Sequence, residues 1–148
     1  MNSTIKGSDG KLRCTWCGIT PDYIEYHDNE WGFPESSDYK LFEKICLEIF
    51  QSGLSWRTIL TKRENFRKAF KNFDFNKVAK FNQTDISRLL SDEGVVRHRG
   101  KIEATINNAQ MAKKIVKEFG SLSSYIWSFE PEVTQTTKLR LVSITPES

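Results

Sequence analysis

Between Asp38 and Phe129 the apolar residues return at helical spacing in one run after another, and each run opens near a side chain able to cap a helix. Asp38 precedes Leu41, Phe42, Ile45 and Ile49, and Gly53 ends that pattern. Ser55 opens a second run with Trp56, Ile59, Leu60, Phe66 and Phe70 on one side and basic residues on the other. Asp74 can open a short helix over Val78 and Phe81, and Thr84 or Asp85 another over Ile86, Leu89 and Leu90. From Lys101 a longer helix is predicted through Ile102, Ile106, Ala109 and Val116, closing at Gly120. Ser121 caps a last one with Leu122, Tyr125, Ile126 and Phe129, and Pro131 stops it. No convincing alternating strand precedes Lys138. The fold class is all-α, a compact helical domain.

A chain of 148 residues fits one domain. Residues 1–11 read as a polar, flexible leader, 12–130 as the helical domain, and 131–148 as a poorly packed tail. The tail is rich in Thr and Ser, and no helical period or cap supports Val133, Leu139, Leu141, Val142 and Ile144. Within the domain, Leu12 to Pro34 is aromatic-rich and irregular, without helical periodicity. No window approaches the roughly 18 apolar residues of a membrane span, so no membrane is expected as a partner. The N-terminus lacks the apolar stretch and cleavage site of a secreted chain, which leaves a cytoplasmic location as the expectation. Three cysteines are too few for a disulfide scaffold and suit thiols or metal ligands in a reducing compartment.

Charge is unevenly spread. From Asp22 to Glu48 eight acids face Lys40 and Lys44, a net of −6; from Arg57 to Lys71 six bases face Glu64, a net of +5. One surface suited to a polyanion would produce this, and so would two solvated helix faces. The stretch from Leu89 to Ile102 narrows the choice. A short helix, a turn at Glu93-Gly94, then Arg97-His98-Arg99-Gly100-Lys101 and a longer helix make the pattern of a helix-hairpin-helix, about 85–118. A helix N-terminus presents unpaired N–H groups to a phosphate, Gly94 and Gly100 allow close approach, and Arg97, Arg99 and Lys101 add salt-dependent attraction. An ordinary helical connection with surface arginines is the plainer reading. His98 has no activating neighbour in sequence and reads as structural.

Glu48 projects beside Ile45 at the edge of the predicted apolar stripe, which implies a partly buried carboxylate. Trp56 follows across the Gly53 turn, and Trp16, Tyr23, Tyr26 and Trp31 precede it. One carboxylate with aromatic faces suits a flat, cationic or hydrogen-bond-donating ligand. A helix-flank glutamate paired with Lys44, beside aromatics that are simply core, would look the same. Cys14-Thr15-Trp16-Cys17 is a zinc half-site by spacing, with His27 ten residues beyond Cys17. Cys46 sits at an apolar helical position and reads as a small core residue. A redox use of the Cys pair needs a βαβ setting that the sequence lacks.

These motifs resemble a known family. Arg13-Cys14-x-Trp16, Tyr23-Ile24-x-Tyr26-His27-Asp28-Asn29-Glu30-Trp31-Gly32-x-Pro34-Glu35, Ile45-Cys46-Leu47-Glu48, Gln51-x-Gly53-Leu54-Ser55-Trp56, Lys62-Arg63-Glu64-Asn65-Phe66 and Arg97-His98-Arg99-Gly100-Lys101-Ile102 are similar to those of the DNA-3-methyladenine glycosylase I family. The likeness runs from about Arg13 to Phe129 and weakens near Thr137.

The resemblance implies a monofunctional base-excision-repair enzyme of the helix-hairpin-helix glycosylase superfamily. Such an enzyme extrudes a damaged nucleotide from double-stranded DNA and hydrolyses its N-glycosidic bond. By position it assigns Glu48 and Tyr26 to the flipped 3-methyladenine, Trp16 and Trp56 to stacking or enclosing the base, and Tyr23 and Trp31 to the shape of the pocket. Gly94, Arg97, Arg99, Gly100 and Lys101 would grip DNA. Cys14 and His27 match two of four ligands of a structural zinc ion, and the last helices of the family, which supply the other two, would be missing here. No membrane and no obligate protein partner is implied. The rival expectation is a non-catalytic helical remnant that keeps only the DNA grip; a weaker one is a zinc-dependent interaction module using Cys14, Cys17 and His27.

Overall fold

The structure is a computed structural model, and it describes residues 4–131; the tail expectation for residues 132–148 lies outside the described residues. The chain divides into two compact units, one containing the N-terminal segment to Pro34 and the other running from Glu35 to Glu130.

The described residues are mostly helical, as expected, and the first unit adds one small sheet. Strands β1 (Thr4–Lys6) and β2 (Leu12–Cys14) pair antiparallel, with Ile5 opposite Arg13. Three residues per strand are too few for an alternating pattern to register in sequence, which is why the leader reads as plain coil. A 3₁₀ turn over Thr15–Cys17 follows, then helix α1 (Pro21–Asn29), where irregular chain was expected. Proline at its first position suits a helix start, and none of its residues is buried, so it has no apolar stripe for periodicity to find. Among the described residues, Cys17 is the one buried apolar side chain of this unit.

The second unit is helical throughout: α2 (Asp38–Gln51), α3 (Trp56–Ala69), a 3₁₀ turn over Lys71–Phe73, α4 (Phe75–Val78), α5 (Gln83–Ser91), α6 (Arg99–Phe119) and α7 (Leu122–Trp127). Several caps follow the sequence. Ser55 accepts from the Thr58 N–H, Asp74 from that of Asn76 and Ser121 from that of Ser124, and Gly120 (φ 84°) ends α6. Others differ. Asn82, not Thr84 or Asp85, caps α5 in a reciprocal box with Asp85. Asp38 does not cap its own helix: its carboxylate accepts from the N–H groups of Leu122 and Ser123 at 3.1 and 2.9 Å, tying the start of α7 to the start of α2.

Phenylalanines dominate the core. Phe50 lies 4.7 Å from Phe66 by ring centroid, and Phe70 stacks on Phe73 at 5.6 Å. Lys71, Asn72 and Phe73 hold φ near +54° in a left-handed turn, a conformation costing roughly 1–2 kcal/mol per residue. Full burial of Phe73 against Phe42 and Phe70 offsets it.

The buried side of α2 is Leu41, Phe42, Glu43, Cys46, Leu47 and Phe50. Both sides of this helix carry apolar residues, and the packed one is centred near Cys46, so Ile45 (38% exposed) faces outward. Glu48 shares that outward side and is exposed, which corrects the expectation of a partly buried carboxylate. The buried acid is Glu43, paired through both oxygens with Arg67 of α3.

Candidate functional site

In the first unit, β2, the 3₁₀ turn and α1 bring the predicted aromatic residues together. Trp16 stands at the centre, 5.8 Å from Tyr23, 6.2 Å from Tyr26 and 5.2 Å from Trp31 by ring centroid, and meets each of them edge-on. Trp16 and Trp31 are exposed, so the cluster has outward faces as well as mutual contacts. It serves partly as packing, since the described residues of this unit bury no aliphatic side chain.

Next to the rings lies an ion cluster whose parts the sequence motifs contained without giving them a role. Arg13, buried at 5% exposure, donates to both oxygens of Asp28 at 2.7–3.1 Å and to both oxygens of Asp9. The guanidinium lowers the Asp28 carboxyl to about 2 and holds that of Asp9 below the usual carboxylate range. Asp28 in turn accepts from His27 Nδ1 at 2.9 Å. The cue in sequence was an acid directly following a histidine. An open recess of about 470 Å³ borders Arg13, His27 and Asp28, and none of the four aromatic residues lines it.

Cys14 and His27 do lie side by side: the Cys14 backbone N–H donates to His27 Nε2 at 3.2 Å. Burial raises the Cys17 thiol above its ordinary value, and its sulfur turns toward the Gly18 carbonyl. No group of three or more metal-ligating side chains occurs among the described residues. A closed zinc site needs four ligands, of which Cys14 and His27 would supply two.

In the second unit the α5–α6 connection has the predicted helix, turn and helix. The Gly94 N–H donates to Asp92 Oδ1 at 2.8 Å, and a Cβ at Gly94 would come within 3.0 Å of Asn65 in α3. Gly94 is therefore required for packing against α3. His98 caps α6 through its Nδ1, which accepts the Lys101 N–H, in keeping with a structural role. Arg97 and Arg99 are exposed, with long or open pairings to Glu93 (3.9 Å) and Glu103 (3.3 Å). Lys101 differs from them: its ammonium donates to the carbonyls of Phe50 and Ser52 at the end of α2. Gly100 sits in the first turn of α6, whose leading N–H groups have no partner within the helix. Trp56, half-buried, opens α3.

A family model described as methyladenine glycosylase matches residues 16–148. The chain belongs to the methyladenine glycosylase family. The match reaches Ser148 and so runs through the tail, where the resemblance was expected to weaken. Similarity to individual members of the methyladenine glycosylase family agrees. Over 130 residues the chain is 50% identical to DNA-3-methyladenine glycosylase 1 of Escherichia coli (strain K12), covering 86% of this chain and 70% of that protein. The crystal structure of a 3-methyladenine DNA glycosylase I is similar at 50% identity and a TM-score of 0.74, over 79% of this chain and 64% of that one. A single-residue variant of 3-methyladenine DNA glycosylase I in complex with 3-methyladenine is similar at 40% identity and a TM-score of 0.76, over 78% and 62%. The chain thus spans less than two thirds of the length of these solved structures.

Proposed function

We propose that this chain is a monofunctional DNA N-glycosylase that releases 3-methyladenine from alkylated double-stranded DNA. The observation that carries the reading is the family match over residues 16–148, which takes in the aromatic cluster, Glu48 and the α5–α6 connection together. The chemistry of the residues supports it. An adenine methylated at N3 is cationic and leaves readily, through an oxocarbenium-like state. Its recognition asks for π faces and one negative charge more than for a strong base. Trp16, Tyr23, Tyr26 and Trp31 offer the faces in one unit; in the other, Trp56 offers another and Glu48 the carboxylate. In this reading Glu48 and Tyr26 keep the roles on the extruded base that the family resemblance assigns to them.

The α5–α6 connection acts as the helix-hairpin-helix grip. Exposed Arg97 and Arg99 and the first turn of α6 at Gly100 are suited to phosphate contacts, which position a duplex without reading its sequence. Lys101 and Gly94 support that grip from inside the fold. No helix among the described residues is long and apolar enough to cross a membrane.

The test is release of free 3-methyladenine from methylated duplex DNA. Wild-type protein is expected to release it, and Glu48→Gln to do so about a hundredfold more slowly with DNA binding retained. Wild-type protein that binds DNA in a salt-sensitive way yet releases no base would establish the non-catalytic remnant instead.

A further inference from the structure

Trp56 and Arg57 open α3 side by side and sit in different settings. The indole packs against the apolar core of the second unit. The Arg57 side chain is exposed, and among the described residues it has neither an ion pair nor a side-chain hydrogen bond. The first acid of α3, Glu64, is seven positions on and is taken by Arg67. The turn in front of the pair is fixed from several directions. The Leu54 N–H donates to the Gln51 carbonyl at 2.6 Å, Ser55 caps α3 at Thr58, and the Lys101 ammonium of α6 reaches the Phe50 and Ser52 carbonyls. Further along, Lys62 donates to the Glu93 carbonyl at 2.8 Å, and Gly94 packs closely on Asn65. The α2–α3 turn and the body of α3 are thus braced against the α5–α6 connection, and a duplex gripped at Gly100 runs beside the start of α3.

We infer that Arg57 holds the phosphate beside the extruded nucleotide, a contact separate from the hairpin grip and made only when a nucleotide is turned out. The inference rests on the reading above, in which Trp56 encloses the base. Base and phosphate belong to one nucleotide, so a base seated against Trp56 brings its own backbone to the rim of that ring. The open charge at the rim is Arg57, the next residue in the chain. In an intact duplex the nucleotide stays stacked, and its phosphate stays in the helical backbone, away from that rim. A guanidinium can take two phosphate oxygens at once, which fixes position as well as adding attraction. Arg97 and Arg99, by contrast, meet a duplex whether or not a nucleotide has left the stack. Lys68 is exposed on the same side of α3 as Arg57, but eleven residues on, roughly 16 Å along the axis. It is therefore a natural control.

The test measures binding of the full chain across salt concentration to two duplexes, one unmodified and one carrying a tetrahydrofuran abasic analogue, which has no base to unpair and turns out at low cost. Arg57→Ala is expected to lower the slope of log K against log salt by about 0.9 on the abasic duplex and to leave it unchanged on the unmodified one. Arg57→Lys keeps the charge and should keep the slope. Arg57→Gln should repeat the loss, which keeps the test decisive if alanine disturbs the start of α3. Lys68→Ala should change neither slope, and Arg99→Ala in the hairpin should lower both alike. An Arg57→Ala protein with the wild-type slope on the abasic duplex overturns the inference. So does one that loses slope equally on both duplexes, since that would make Arg57 part of the general grip. Wild-type protein that shows the expected pattern yet releases no 3-methyladenine would sink the glycosylase reading and leave the contact standing; release without the pattern would do the reverse.

Discussion

The ammonium of Lys101 sits 3.0 Å from the Phe50 carbonyl and 2.5 Å from that of Ser52, at the end of α2 where carbonyls lack helical partners. A cation placed there satisfies orphan acceptors and opposes the negative end of the helix dipole. Its work is therefore done inside the fold, although its position in the sequence motif points to DNA. Lys101→Ala is expected to destabilise the protein by about 1–2 kcal/mol in chemical denaturation. Arg99, half-exposed and paired only across one turn with Glu103, should be within about 0.5 kcal/mol of neutral on the same scale. If Lys101→Ala were as stable as the wild type, the ammonium would not be capping α2. Sequence cannot separate these two side chains, because both are basic residues at the start of one helix. The partner that distinguishes them is some fifty positions away in the chain.

At the scale of elements, the start of α2 is secured by residues outside it. Ser37, the formal cap, makes no side-chain bond; the Glu35 carboxylate accepts the N–H groups of Ser36 and Ser37 at 2.9 and 2.8 Å, with Lys40 near. The Ser37 N–H bond above all lowers the Glu35 carboxyl below its ordinary value of 4.5. A depressed folded value means stability that is present above about 4.5 and lost as pH falls through the folded value. Glu35→Gln should thus be less stable than wild type by about 0.5 kcal/mol at pH 7, with the gap closing in acid. A gap that persists at pH 2 would mean the charge is not the cause. The helices of the second unit were legible because caps such as Ser55, Asp74 and Ser121 act over three or four residues and amphipathic stripes repeat within one element. The first unit was not: α1 buries nothing, and its neighbouring strands are three residues each. For the candidate site, the aromatic residues were legible as types, whereas the outward side of Glu48 was not. With Ile45 and Ile49 each one position before Cys46 and Phe50, two adjoining sides of α2 look apolar in sequence, and only packing chooses between them.

For the molecule as a whole, several of the bases behind the net charge of +3 are committed within the fold. Arg67 is paired with Glu43 and Glu64, Lys62 donates to the Glu93 carbonyl, Arg88 to that of Ala69, and Lys101 is committed to α2. Two of the six bases between Arg57 and Lys71, Lys62 and Arg67, are thus engaged within the fold. Arg97 and Arg99 stand apart, since their acidic neighbours are exposed, distant or both, and a phosphate could displace them at little cost. Each phosphate neutralised on a duplex contributes about 0.9 to the slope of log K against log salt. Arg99→Ala should therefore weaken duplex binding and flatten that slope by about 0.9, and Arg97→Ala should act alike. Lys62→Ala should leave the slope where it is, because that ammonium already has its acceptor, and any loss of affinity would come from a loosened turn. Measuring binding across salt concentration separates the two classes, which a single affinity would not. Were the Lys62 variant to flatten the slope as much as Arg99→Ala, the division between structural and open bases would fail, and the grip would have to extend onto α3.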